Sequence, residues 1–434
     1  MSESNKLSRR GWIGLAGAGL AGAVMSKSLN NTAEAKTTTV SGQSITPVKD
    51  FTGPGPNTHW NSVGPYVSYP QKSPLLMLTD RPIQLETPRH FFLTPFTPNH
   101  AFFVRWHLDG HPTAVDLAKY RLKIGGHVNK GLSFSMADLM TKFPRVSVAA
   151  VNQCSGNSRS TFQPRVAGGQ WGNGAMGCAM WEGVRVMDLL KQAGLKKGAL
   201  QVQFQAMDRG KGPKGKGSYA FLKSLDLSND VLKEAILAYS MNGEPLPLLN
   251  GFPLRLIVPG YFSTYWVKAV EGLKVLDKPD ENFWMKKAYH VPDNARGATT
   301  PKEVAAGKLK KVPISRMPVR SFLISPDGSG MIPAHMPVTL RGIAFSGHGE
   351  VRKVEVSLDN GKTWKAATLD KSHGDYAFRV WHMQWTPKKP GSYTIAVRAT
   401  DKKGHVQPDS PIWNPGGYMR NQIERQVIIV GESK

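Results

Sequence analysis

The run Val146-Ser147-Val148-Ala149-Ala150-Val151-Asn152-Gln153-Cys154-Ser155-Gly156-Asn157-Ser158-Arg159-Ser160 decides how this chain is read. Its first six residues, apolar and rich in valine, predict a buried strand, and the Ser/Gly/Asn stretch after Cys154 predicts a tight turn. Cys154 stands at the junction. A thiol on the rigid end of a strand, with close backbone approach in the turn and an arginine five residues on, has what a metal-ligating thiolate needs. The only other cysteine is Cys178. Two cysteines in an exported protein also read as one disulfide, which would make the chain a cofactor-free exported binding protein. A chain of 434 residues does not need such a staple for stability.

Working outward, short strand-like runs at 102–106, 146–151, 200–205 and 254–258 alternate with helical periodicity at 135–142 and 186–193, which predicts an α+β domain over residues 86–300. Residues 36–85, rich in Thr, Pro, Gly and Ser, are expected to wrap it as loops. After a Lys/Pro-rich connection at 293–318, runs at 338–344, 351–357, 364–368, 376–384, 391–400 and 426–430 read as strands, with Asp359-Asn360-Gly361 as a hairpin turn. Strands without helices predict an immunoglobulin-like β-sandwich within residues 301–434.

Residues 1–35 read as a twin-arginine signal peptide. Arg9-Arg10 is followed by a weakly apolar Gly/Ala run and by Ala33-Glu34-Ala35, which has the small residues of a cleavage site. The expectation is a periplasmic protein exported in folded form, which suits a cofactor inserted before transport; an ordinary secretory signal or a basic tail is the alternative. No apolar stretch is long enough to predict a membrane span. The chain carries 56 Lys/Arg against 31 Asp/Glu, a net charge of +25. Such a field could serve nucleic acid, a membrane surface, an acidic protein or a small anion; the lysines are scattered, without aromatic interleaving, which argues against nucleic acid, and a solvated surface explains most of them. No Cys-x-x-Cys-His occurs, so no c-type haem is attached to this chain.

Two further constellations bear on chemistry. In Phe102-Phe103-Val104-Arg105-Trp106-His107, strand alternation places Phe103, Arg105 and His107 on one face and Phe102, Val104 and Trp106 on the other. With Arg159, that face would make a small oxyanion pocket; taken alone, such a strand is more often an edge strand with solvated Arg and His. In 252–268, a buried strand carries Arg255 into a Pro-Gly turn followed by Ser263, Tyr265 and Lys268, which suits a phosphate group or a structural ion pair.

Together with Gly168-Gly169-Gln170-Trp171, Leu237 to Gly243 and Trp413-Asn414-Pro415-Gly416-Gly417-Tyr418-Met419-Arg420-Asn421, these segments resemble the sulfite oxidase family of molybdopterin enzymes, most of all its bacterial periplasmic sulfite dehydrogenases. The matches run in order over about residues 87 to 430. The resemblance implies the sulfite oxidase fold and a molybdenum–molybdopterin cofactor with Cys154 as the protein's metal ligand. It implies Arg105, Arg159 and Tyr289 as substrate-holding groups, Trp171 as a pocket wall, and Phe103, His107, Ser155, Asp208, Arg255, Ser263 and Lys268 as cofactor contacts. It further implies oxidation of sulfite to sulfate, with electrons passed singly to a c-type cytochrome, and a homodimer or a heterodimer with that cytochrome. A sulfane dehydrogenase acting on protein-bound sulfur is the related alternative. Cys178 falls where the family tolerates threonine. Asn250 replaces a histidine of animal members and Tyr265 an arginine, which puts the cofactor contacts at that turn in doubt.

Overall fold

The computed structural model describes residues 38–40, 43–47, 66–80, 82–211, 218–307 and 309–432. The signal-peptide expectation for residues 1–35 therefore lies outside the described residues. Among the described residues strand predominates and the α-helices run from four to eight residues, so the mixed α+β expectation is corrected toward β.

The first sheet is an antiparallel meander of six short strands that ends in Ile83–Glu86 and Val104–Arg105, paired through Gln84 with Arg105 and Leu85 with Val104. Residues 36–85 are expected as loops, but Tyr66–Ser68, Leu75–Asp80 and Ile83–Glu86 differ. They are strands because Leu75, Ile83 and Leu85 bury completely against Val104 and Trp106, an apolar set spaced too irregularly by turns to show a period. This sheet holds Arg105 in place.

Two five-stranded sheets follow. One is centred on Met176–Arg185, flanked by Val146–Gln153 and Ile236–Met241, with Arg255–Ile257 beyond. The other runs Ser218–Asp226, Gln201–Lys211, Val270–Leu276, Leu122–Gly126, Leu132–Phe134. The two helices expected from periodicity form. Met136–Lys142 is closed by a Ser135/Asp138 capping box. Val186–Ala193 buries Val186, Leu189, Leu190 and Ala193 on one face and stops at Gly194, φ 67°.

Residues 309–432 hold no α-helix. Arg320–Ser325, Val338–Phe345, Arg379–Trp385 and Thr368–Leu369 form one sheet. Met331–Pro333, Glu424–Gly431, Gly391–Asp401, Val351–Ser357 and Lys365–Ala366 form the other. Leu340, Trp381, Val354, Val356, Ile395 and Ile428 share a core between them. The strand expected at 364–368 breaks into two pairs that join different sheets. Phe322, Ile343, Phe345 and Phe378 belong instead to the core of the preceding sheets, so the two units meet over continuous apolar packing.

Candidate active site

Cys154 follows the last residue of the strand Val146–Gln153, and its N–H still donates to Ala175 O across the sheet (2.9 Å). The chain then turns: Asn157 N–H donates to Cys154 O (2.9 Å), and Ser158 takes φ 67°. Asn157 Oδ1 accepts from Ala175 N–H (3.0 Å), Ser158 Oγ bonds to Asn173 Oδ1, and buried Arg320 from the C-terminal unit donates to Ser158 Oγ (3.1 Å). The thiol is thus presented by a turn braced from three sides.

Cys178 stands opposite Val151 on the neighbouring strand, three residues before the level of Cys154. At about 3.3 Å per residue the two sulfurs are roughly 10 Å apart along the strands, beyond disulfide reach. Both cysteines are free, so the disulfide alternative is overturned. Cys178 accepts from Phe378 N–H (3.4 Å), and burial pushes its thiol up to about 12; it is a packed residue without thiolate character.

Beside Cys154 opens a cleft of about 370 Å³, part of it open to solvent. The strand alternation holds: Phe103, Arg105 and His107 line the cleft, whereas Phe102, Val104 and Trp106 are buried behind them. Ser155, Arg255, Ser263, Lys268 and Tyr289 line it as well. Half-buried His107 stacks on Phe221 at 3.6 Å, and enclosure together with Arg105, Lys268 and Lys223 holds its ring far below the usual histidine range, hence neutral. Arg255 is fixed by a bond from Nη1 to Asn250 O (2.9 Å), and burial lowers it to about 9. Lys268 lies over the Trp106 ring (4.8 Å); burial and the neighbouring Arg255 lower its pKa. Burial raises the carboxyl of Asp208, which sits in the field of Lys268 and Arg105 just behind the lining.

Two expected residues stand one layer back. Trp171 is buried with its ring edge-on to Phe103 (6.5 Å). Arg159 is buried outside the lining; Nη1 donates to Gly169 O (3.1 Å) and Nη2 to Gly416 O (3.2 Å). Apart from Leu249, which also lines the cleft, the residues that sequence reasoning missed are polar. Asn152 and Thr264 line the cleft, and Lys223 lies beneath Tyr289. Buried Lys72, from the segment expected as loop, donates to Asn99 O (2.7 Å), Phe102 O (3.1 Å) and Asn250 Oδ1. Asn250 lines the cleft and braces it, donating to Phe103 O (3.0 Å), while Tyr265 is buried outside it. Asn152 had one legible signal, its place two residues before Cys154 at the end of a strand.

The contents of the cleft follow from its unmet bonds. Both amide atoms of Asn152, and Ser155 Oγ, Thr264 Oγ1, Arg255 Nε and Asp208 Oδ2, are buried with no partner. Each such atom costs about 1–3 kcal/mol, so the cleft is built for a ligand rich in donors and acceptors. Arg105, Arg255 and Lys268 face one carboxylate, Asp208, which adds a preference for an anionic group. Among the described residues no cluster of three or more His, Cys, Asp or Glu can hold a metal ion. A metal at Cys154 therefore needs ligands that the protein does not supply. A pterin with two thiolates and a phosphate meets these requirements.

The family described as the oxidoreductase molybdopterin binding domain matches residues 108–284, and that described as the Mo-co oxidoreductase dimerisation domain matches residues 311–431. The chain is 34% identical over 383 residues to the mitochondrial sulfite oxidase of Homo sapiens, covering 84% of this chain and 68% of that protein. It is 31% identical over 353 residues to NADH nitrate reductase 2 of Arabidopsis thaliana, covering 76% of this chain and 38% of that protein. Among solved structures it is similar to the sulfane dehydrogenase SoxCD from Paracoccus pantotrophus, with a TM-score of 0.68 and 26% identity over 88% of this chain and 94% of that one.

Proposed function

The chain belongs to the sulfite oxidase family of molybdenum–molybdopterin oxidoreductases, and from that premise we propose that it oxidises sulfite to sulfate in the periplasm and passes the electrons singly to a separate c-type cytochrome. The observation that carries the reading is Cys154, held at the rim of a cleft lined with unpartnered polar atoms and cations. Cys154 would hold the molybdenum. Asn152, Ser155, Thr264, Arg255 and Lys268, with Asp208 behind them, would hold the pterin and its phosphate. When bound, this cofactor takes two electrons from the substrate sulfur and supplies an oxygen atom that derives from water.

The protein's own groups bind and orient. Arg105 faces the cleft beside Cys154 and supplies charge to the sulfite dianion. Burial raises the Tyr289 phenol above its usual value, so it stays protonated and donates its O–H to an oxyanion. Neutral His107 adds no competing charge. In a partly dehydrated cleft these bonds are stronger than in water. The C-terminal unit is read as an immunoglobulin-like sandwich that joins two copies, or one copy and a cytochrome subunit.

Purified, cofactor-loaded protein is expected to contain molybdenum and to reduce a c-type cytochrome when given free sulfite. Cys154→Ser is expected to abolish turnover with the fold retained; a variant that still turns over rules out the metal-ligand role. The full-length likeness to the sulfane dehydrogenase favours a second reading, oxidation of protein-bound sulfane sulfur. Loaded wild-type protein that is inert to free sulfite selects it.

A further inference from the structure

The segment between the strands Gly391–Asp401 and Glu424–Gly431 leaves the C-terminal unit and crosses the Cys154 turn. Met419 N–H donates to Ser155 O (3.0 Å), Arg420 Nε to Thr161 Oγ1 (2.8 Å), and Trp413 Nε1 to Pro164 O (2.7 Å). Within the segment, Asn414 fixes Tyr418 by accepting from its N–H (3.1 Å) and donating to its O (2.8 Å). The Tyr418 ring is thereby placed with little freedom. It stacks on Tyr289, centroids 5.5 Å apart at 26°, and the Arg159 guanidinium lies over it at 5.3 Å.

Arg159 is sheathed by glycine. A Cβ on Gly156 would lie 2.5 Å from Nη2, one on Gly417 2.7 Å from Nε and one on Gly168 3.0 Å from Nη1. Its terminal nitrogens are bonded to carbonyls, and Nε has no partner. The Tyr418 ring completes this enclosure. Tyr289 and Tyr418 thus share the neighbourhood of the Arg105 and Arg159 guanidiniums beside Cys154.

We propose that Tyr418 is a positioning residue for the substrate: its ring holds the Arg159 guanidinium and the Tyr289 ring in one arrangement beside Cys154, and so fixes the binding geometry for a small divalent oxyanion. The assignment of sulfite as that oxyanion rests on the reading above. The C-terminal unit then contributes to the site itself as well as to assembly.

The test uses full-length, molybdenum-loaded protein, with wild type, Tyr418→Leu and Tyr418→Phe compared by sulfite kinetics and by calorimetric titration with sulfate. Loss of one desolvated cation–π contact predicts that Tyr418→Leu raises both the KM for sulfite and the Kd for sulfate roughly tenfold, with kcat changed much less. Tyr418→Phe keeps the ring face and recovers most of that loss. A leucine variant with wild-type KM and Kd, or a phenylalanine variant as impaired as leucine, overturns the proposal. Tyr418→Met replaces leucine where leucine costs the fold, and loss of molybdenum from both non-aromatic variants shows a structural role only, which also overturns it. Wild type that binds sulfate without oxidising sulfite defeats the sulfite reading and leaves Tyr418 judged on sulfate affinity. Wild type that binds no sulfate defeats the present proposal.

Discussion

At the scale of single residues, the site is built from buried charge, and Lys223 shows what that costs. Its Nζ donates to Trp284 O (2.7 Å) and lies over the rings of Tyr265 (4.8 Å) and Tyr289 (5.3 Å), with no carboxylate in contact. Burial lowers its ammonium to about 7, against 10.5 for a free lysine. Between those values the unfolded chain binds a proton that the folded chain does not, so this residue makes stability rise with pH; below about 7 both states are charged and the cost of burial is borne in full. Lys223→Met is therefore expected to be more stable than wild type near neutral pH, with the gap narrowing by up to ~1.4 kcal/mol per pH unit toward pH ~10. Urea unfolding at roughly pH 7, 8 and 9 measures it, and a gap that stays constant shows that the ammonium remains charged. Lys223 was invisible in the sequence, where one lysine in a strand reads as solvated. Phe103, Arg105 and His107 were legible because a period of two sorts them from Phe102, Val104 and Trp106. Asn152 and Thr264 have no period to betray them, and their unmet hydrogen bonds exist only once the chain is folded.

At the scale of elements, the strand Met176–Arg185 is the spine of the sheet that presents Cys154, bonded on one side to the strand Val146–Gln153 and on the other to Ile236–Met241. The second pairing shifts register between Glu182 and Gly183. A Cβ on Gly183 would meet Leu237 O at 2.0 Å and Ala238 Cα at 2.6 Å, both backbone atoms that cannot step aside. Gly183→Ala is expected to destabilise by about 1–3 kcal/mol through overpacking, lowering the denaturant midpoint with the slope unchanged; a midpoint equal to wild type shows that the bulge yields. The two longest described helices and most C-terminal strands were legible for local reasons: caps at Ser135 and Gly194, a four-residue apolar stripe on 186–193, and the Asp359-Asn360-Gly361 turn, in which Asn360 and Gly361 both take positive φ. The spine strand was not. Buried along nearly all its length, it shows no alternation. Most of the N-terminal meander was missed for the opposite reason, the strands at 66–68, 75–80 and 83–86 being only three to six residues long.

At the scale of the whole molecule, the apolar core runs from Phe92 and Ala150 into Phe345 and Phe378, and a C-terminal segment reaches the Cys154 turn, so the C-terminal unit and the candidate site share one body. Over it lies a surplus of 56 basic against 31 acidic side chains. Surface ion pairs such as Lys119–Asp116 and Lys233–Asp230 leave most of that charge unpaired, and exposed pairs of this kind add little stability. A field of this sign draws in anions and acidic proteins, and salt screens it over about 10 Å at 0.1 M. Two uses are separable by the acceptor supplied. If the field guides an acidic cytochrome, the rate of cytochrome reduction falls steeply as ionic strength rises from about 10 to about 200 mM, whereas turnover with a small uncharged artificial acceptor holds. If it concentrates the substrate dianion, kcat/KM for sulfite falls by the same factor with either acceptor. Stopped-flow and steady-state measurements over that range decide between them, and a rate indifferent to salt with both acceptors removes the surplus charge from the mechanism and leaves it to solubility.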